Sequence, residues 1–395
     1  MIEIALLTAT FVFLGYLLLL TLLASLAAKR TAFDTRAIRR FAVVIPAHNE
    51  AQGINETIRS ILQVEYPHDR FDAVVIADNC TDETASSAGR AGAGVLERNE
   101  PALRGKGHAL RWGFDRLFAG EKAYDAFIVV DADSIVSANY LAVMNWYLEH
   151  GSRVVQSSDL VDPGNDAWNA QMTRTGFLLY NYVRPLGRKV LGGSAGLRGN
   201  GMCFSAQVLK DFPWNAFSIT EDLEYGVNLH LRGIQVTFAP EATVFAVMPR
   251  DPKNAEGQRA RWEGGRFALI RRFAWPLLKG ALRQGSLASL DAFFDLVTPA
   301  LVNLIGFVFV AGLMTLSLAC LGIASMRAYG VLWIAAAGMG FVHLIAGLRI
   351  ASADRSLYRA LLQLPRYALW KMSVYARMPG RWTKDVWTRT TREIR

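Results

Sequence analysis

The sequence predicts an α/β domain with a mostly parallel sheet, held on three membrane-crossing helices. Three observations predict it: short apolar runs alternating with helical stretches between residues 41 and 262, long charge-free runs on either side, and polar clusters just past the apolar runs. The 395-residue chain is 52% apolar and 19% charged, which argues against disorder and allows a core that needs no disulfides. Cys80, Cys203 and Cys320 share no metal-ligand spacing and suit a reducing compartment.

The first element, residues 1–28, contains no Asp, Glu, Lys or Arg from Ile4 to Ala28. At 1.5 Å per residue it is long enough to cross a hydrocarbon core of about 30 Å. A signal peptide would carry its basic residues ahead of the apolar run; here Glu3 stands there and the basic cluster follows. Residues 29–40 hold five basic residues and one acid, and 349–395 hold eleven against three. The stretch 41–295 is left mildly acidic, at −3 of a total of +9. That distribution disfavours nucleic acid as a partner and fits basic flanks beside membrane lipids.

Charge-free runs at 296–326 and 328–348 form the second and third spans, joined near Arg327. A pair of buried helices in a soluble core would also be apolar all round, but 31 residues is long for one. The two basic clusters then put 29–295 and 349–395 in the cytoplasm and the N-terminus outside. A bacterial inner membrane is the expected location. Residues 263–295 and the tail 349–395 read as amphipathic helices at the lipid interface, or as helices packed on the domain. Pro276 and Pro365 should break or kink them.

Within 41–262 the expected strands are Phe41–Ile45, Phe71–Ala77, Gly94–Glu97 and Phe127–Val130, and the expected helices Gly53–Gln63, Arg104–Phe118 and Leu223–Leu231. Polar clusters follow the strands, where open α/β sheets bind ligands. Neither a Rossmann glycine fingerprint nor a P-loop is present: the first strand runs into Pro46, and Gly105-Lys106-Gly107 lacks an earlier glycine and a Ser/Thr. The sheet is expected to take a nucleotide in another way.

Asp131-Ala132-Asp133 at a strand end offers two carboxylates, one set of oxygens for a nucleotide and another for a hard cation such as Mg²⁺ or Mn²⁺. Asp-x-Asp also occurs in ordinary turns; the apolar strand feeding it favours the metal reading. Glu50 and Asp78 occupy matching strand ends and can accept from base or ribose, and Lys106 can neutralise a phosphate. Thr220-Glu221-Asp222 precedes a helix, so Asp222 is either a general base or an acid favoured by the helix dipole, with Glu221 orienting its neighbours. Gln258-Arg259-x-Arg261-Trp262 supplies guanidiniums for a diphosphate and an indole to stack on a sugar, or simply a basic helix face.

Together these stretches, VVIPAHNE (43–50), VIADNCTDET (75–84), RGKGHAL (104–110), VVDAD (129–133), TEDL (220–223) and QRARW (258–262), resemble the ordered signatures of family 2 glycosyltransferases. The resemblance is to the membrane-embedded branch that includes cellulose, chitin and hyaluronan synthases, nodulation chitooligosaccharide synthases and lipid glycosyltransferases. It implies a GT-A fold over 41–262 and inverting transfer from a UDP-sugar. Pro46, Glu50, Asp78, Lys106 and Asp131 would then bind nucleotide, and Asp133 would ligate the metal. Asp222 would be the base. Gln258, Arg259, Arg261 and Trp262 would close over diphosphate and acceptor. Gly199, Asn200 and Gly201, in the loop 192–202, would meet the acceptor with Glu221 and Trp262. His48 stands where the family commonly has tyrosine. Three spans are few to enclose a polymer path, so a lipid-linked or short acceptor is expected. A processive exopolysaccharide synthase, with several copies completing a conduit, and a non-enzymatic nucleotide-binding scaffold are the alternatives.

Overall fold

The computed structural model describes residues 1–27, 33, 38–164, 166–248, 252–323 and 325–377. Most of the basic segment 29–40, and the tail from 378 onward, lie outside the described residues. Helix α1 (Ile2–Ser25) opens the chain. The units β1 (Phe41–Ala47), α2 (Ile54–Leu62), β2 (Phe71–Asp78), α3 (Thr84–Arg90), β3 (Gly94–Arg98), α4 (Lys106–Ala119) and β4 (Ala126–Val129) alternate as the sequence implies. They are followed by β5 (Ser134–Val136), α5 (Tyr140–Glu149), β6 (Val154–Val161), α6 (Trp168–Phe177) and α7 (Arg184–Leu191). Next come β7 (Met202–Ser205), α8 (Ala206–Asp211), α9 (Glu221–Leu231) and β8 (Val236–Ala246). The chain continues with α10 (Pro252–Gln284), α11 (Leu287–Val297), α12 (Leu301–Cys320), α13 (Ser325–Ile350), α14 (Arg355–Ala360) and α15 (Leu364–Arg377).

The eight strands form one sheet in the order β3-β2-β1-β4-β7-β6-β8-β5. β3, β2, β1 and β4 run parallel, with Phe41 opposite both Phe71 and Ala126. The near-continuous apolar content of β2, β1 and β4 follows from burial on both faces. β7 enters antiparallel to β4 and to β6. β1 runs two residues beyond the expected Ile45, through Pro46. That proline lies past the last β1–β4 pair, Val44 with Val129, so its missing donor breaks no rung of that ladder. The ends of β1, β2 and β4 thus share one edge and present residues 46–50, 78–82 and 131–133 together.

α10 departs from expectation. Its 33 residues continue unbroken through Pro276, and the expected boundary at 262/263 falls inside it. A proline inside a helix costs about 3 kcal/mol. Leu269, Phe273 and Leu277, at helical spacing, bury against Leu296 of α11 and offset that loss. Pro365 behaves as expected: a single 3₁₀ turn at Leu361–Gln363 separates α14 from α15.

Helices α1, α12 and α13, with mean hydropathies of 2.3, 2.2 and 2.0, are long and apolar enough to span a membrane. Thr315 and Trp333 both donate to the Glu3 carboxylate, 2.7 and 2.6 Å away, which joins the start of α1 to the α12–α13 turn. At the other end Thr21 bonds to His343 at 2.6 Å. The C-terminal end of α1 packs directly on α7, where a Cβ on Gly187 would lie 2.2 Å from the Leu20 carbonyl oxygen. Ala24, Leu344 and Leu348 from the spans share one core with Val44, Phe127 and Met202 of the sheet.

Candidate active site

A cavity of about 480 Å³ opens at the shared strand edge and extends to the first turns of α12. Pro46, Glu50, Asp78, Lys106, Asp131, Asp133, Gly199, Asn200, Glu221, Asp222, Gln258, Arg259, Arg261 and Trp262 all line it. These residues span more than 200 positions of sequence, and the fold brings them to one space. Gly201 alone of the candidates stands behind the wall: a Cβ there would lie 2.0 Å from the Ser157 hydroxyl, so its place is packing against β6.

Lys106 holds the middle of the site. Gly105, at φ 124°, turns the chain into α4 so that the lysine opens the helix. Its ammonium donates to Asp131 and to the Gly199 carbonyl, each at 2.5 Å, and lies 3.8 Å from Glu221. Burial works against that charge, but Asp131 and Glu221 more than offset it and hold the group above the usual lysine range. The Asp222 carboxyl is raised by burial, with Lys106, the Leu223 N–H and Arg198 pulling the other way. Burial also raises Glu221. A Cβ on Gly199, whose φ is +85°, would sit 3.1 Å from the Asp222 carboxylate, so the 192–202 loop passes directly over the candidate base.

Asp78 is buried and paired with Arg98 at 2.5 Å, and Arg98 also reaches Glu100 at 3.0 Å. His48 donates from Nδ1 to the Asp78 carbonyl at 2.7 Å. Asn200 turns inward: its side-chain oxygen accepts from the Asp131 N–H at 3.0 Å and its amide donates to Ser134 at 2.9 Å. That fixes the Asp-x-Asp turn to the 192–202 loop and leaves the Asn200 amide committed within the protein. Trp262 rests beside Phe177, ring centres 5.8 Å apart, and under the Arg259 guanidinium, which donates to Thr173. Burial lowers the Arg261 pKa.

Asp131 and Asp133 fit a divalent ion of the open kind. Their hard oxygen donors sit at the cavity wall, and no group of three or more His, Cys, Asp or Glu forms a protein cage among the described residues. An ion here would share its shell with phosphates and water.

Several lining residues had no signal of their own in the sequence. Asp159 in β6 is buried, bonded to Asn181 at 3.1 Å, and held well above the usual carboxylate range by that burial. Arg184, Arg198, Arg266 and Lys371 also line the cavity.

The chain is similar to known proteins. The "Probable glycosyltransferase YdaM" of Bacillus subtilis is 23% identical over 256 residues, covering 62% of this chain and 60% of its own. The "Poly-beta-1,6-N-acetyl-D-glucosamine synthase" of Staphylococcus aureus is 23% identical over 255 residues, covering 62% and 59%. The match therefore spans about three fifths of these relatives' length. The mannosyltransferase PcManGT of Pyrobaculum calidifontis, solved with GDP-Man and Mn²⁺, has a TM-score of 0.58 at 18% identity, over 90% of this chain and all of its own. The α/β fold on apolar helices is thus one already seen in a glycosyltransferase. The model for "Glycosyltransferase like family 2" matches residues 39–265, more than half of the chain, so the protein belongs to that family and is an enzyme of it.

Proposed function

We propose that the protein transfers a sugar, with inversion, from a UDP-sugar to the hydroxyl of a lipid-linked or short acceptor at the membrane surface. One observation carries the reading: Asp133 and Asp222 line the same cavity, and that cavity continues to Leu301, Ile305 and Leu344 of the spanning helices. A donor and an acceptor anchored in lipid can therefore meet without either leaving its own phase.

In this reading Glu50, Asp78 and Asp131 receive the nucleotide and Asp133 holds Mg²⁺ or Mn²⁺. The ion would supply charge neutralisation on the diphosphate. Lys106, Arg259 and Arg261 add fixed positive charge where the leaving group gains negative charge. Asp222 takes the proton of the attacking hydroxyl. Mn²⁺ with a nucleotide-sugar in the mannosyltransferase neighbour supports the cofactor assignment. Family membership leaves the non-enzymatic scaffold without ground. The basic flanks support a cytoplasmic catalytic domain with the N-terminus outside, in a bacterial inner membrane.

Processive polysaccharide synthesis is the second reading, favoured by the name of the Staphylococcus aureus relative. UDP release should be screened across labelled UDP-sugars in native lipid extract, followed by product analysis. The first reading expects an organic-extractable product of discrete mass, and the second a ladder of lengths. Release with no donor would overturn both.

A further inference from the structure

Three arginines of the cavity wall have no part in the donor chemistry above. Arg184 and Arg198 are 4% and 8% exposed, and Arg266 reaches in from α10. Together with Arg188 they surround Asp295: Arg188 lies 2.7 Å from its carboxylate and Arg184 and Arg198 each 3.4 Å. Asp291 is taken by Arg188 at 2.8 Å and by the Tyr16 hydroxyl at 2.9 Å. Arg266 donates to the carbonyls of Asp295, Leu296 and Thr298 at the end of α11. Those carbonyls carry only the partial charge of a helix terminus.

Four guanidiniums thus stand among two carboxylates, and three of them, Arg184, Arg188 and Arg198, are buried. Charge held out of water without a full counter-charge is costly, and an anionic ligand would offset that cost. Nε and Nη1 of Arg198 have no hydrogen-bond partner among the described residues, although that side chain is only 2% exposed. Arg184, Arg198 and Arg266 also crowd the ring of Tyr180, at 4.7, 4.3 and 5.6 Å. The ring face gives these charges partial relief.

Position says what the anion belongs to. Arg198 adjoins Gly199, which covers Asp222, while Arg266 bonds Thr298, three residues before α12 begins. Beyond lie Leu301, Ile305, Leu344, Leu361 and Leu364, from α12, α13 and the 3₁₀ turn into α15. The wall changes in sequence from base to guanidiniums to hydrocarbon. An amphiphile with a hydroxyl, a phosphate and a tail in that order matches it.

We propose that Arg184, Arg198 and Arg266 form a subsite for the phosphate of a phosphate-bearing lipid acceptor, whose tail lies between α12, α13 and α15. This rests on the acceptor reading given above and names its chemistry.

The full-length protein in neutral detergent is titrated with dioctanoyl phosphatidate, with dioctanoylglycerol and with inorganic phosphate, following tryptophan fluorescence. UDP binding is measured on the same samples by calorimetry. The phosphatidate is expected to bind at least about tenfold tighter than the neutral lipid, the usual worth of charge-assisted hydrogen bonds. Arg198→Gln should remove most of that advantage, and Arg198→Lys should keep part of it. Inorganic phosphate should compete only weakly. A wild-type-like thermal unfolding transition reports a folded variant; should Arg198→Gln not fold, Arg266→Gln serves in its place. Equal binding of the two lipids overturns the subsite. Full competition by inorganic phosphate overturns its lipid origin. Loss of UDP affinity in a folded Arg198→Gln protein assigns the cluster to the donor and also overturns it. Wild-type protein that binds phosphatidate but no UDP would instead refute the donor reading.

Discussion

The two ends of the cavity are built on opposite electrostatic plans. At the strand edge the carboxylates Glu50, Asp78, Asp131, Asp133, Glu221 and Asp222 gather around Lys106, and Arg98 backs Asp78. Toward the spans, guanidiniums gather around Asp295, and four of them hold that carboxyl far below the usual range despite its burial. An acid-rich end requires a cation before it can accept a diphosphate. An arginine-rich end can take an anion directly. The contrast lets one cavity keep two negatively charged ligands in order, with the candidate base between them.

Removing the group at the junction should have the largest effect. Asp222→Asn should slow transfer by roughly 10²–10⁴-fold with UDP affinity retained, as expected for loss of a general base. Near-normal turnover of the purified variant would place the base elsewhere. The same aspartate predicts a pH profile. Burial raises its pKa and the base must be ionised, so the rate should rise with pH along a limb above pH ~4, the ordinary aspartate value. Asp222→Asn should abolish that limb.

A smaller effect is expected within the acid-rich end alone. Arg98→Leu leaves the buried Asp78 unpaired and should destabilise the domain by about 3–5 kcal/mol, the range for breaking a buried pair. Thermal unfolding in detergent reads it, and unchanged stability would show that Asp78 finds another partner. The smallest is His48→Phe, which deletes the bond to the Asp78 carbonyl. UDP affinity should fall by no more than about fivefold, equivalent to about 1 kcal/mol. A larger loss by calorimetry would mean that the ring itself meets the nucleotide.

The parallel half of the sheet was legible because burial on both faces leaves an unbroken apolar run, as in Val43–Ile45 and Phe127–Val130. The polar clusters at its edge were legible for the same reason, since each follows such a run. β6 was not. Its Gln156, Ser157, Ser158 and Asp159 interrupt any apolar run, yet all are buried and bond to Asn200, Gly201, Pro240 and Asn181. The arginine cluster was hidden differently: Arg188 and Asp291 are 103 positions apart, and no local period reports such a pair. Unbroken passage of α10 through Pro276 depends on packing against α11, which likewise leaves no local trace.

The shared core of sheet and spans has a consequence for how the chain reaches its native state. Because Ala24 and Leu348 complete the same interior as Val44, a water-soluble fragment beginning at Phe41 would have a greasy flank with nothing to close it. The α/β domain and a passive tether cannot be drawn apart: helices long and apolar enough to span a membrane close part of the domain's own interior.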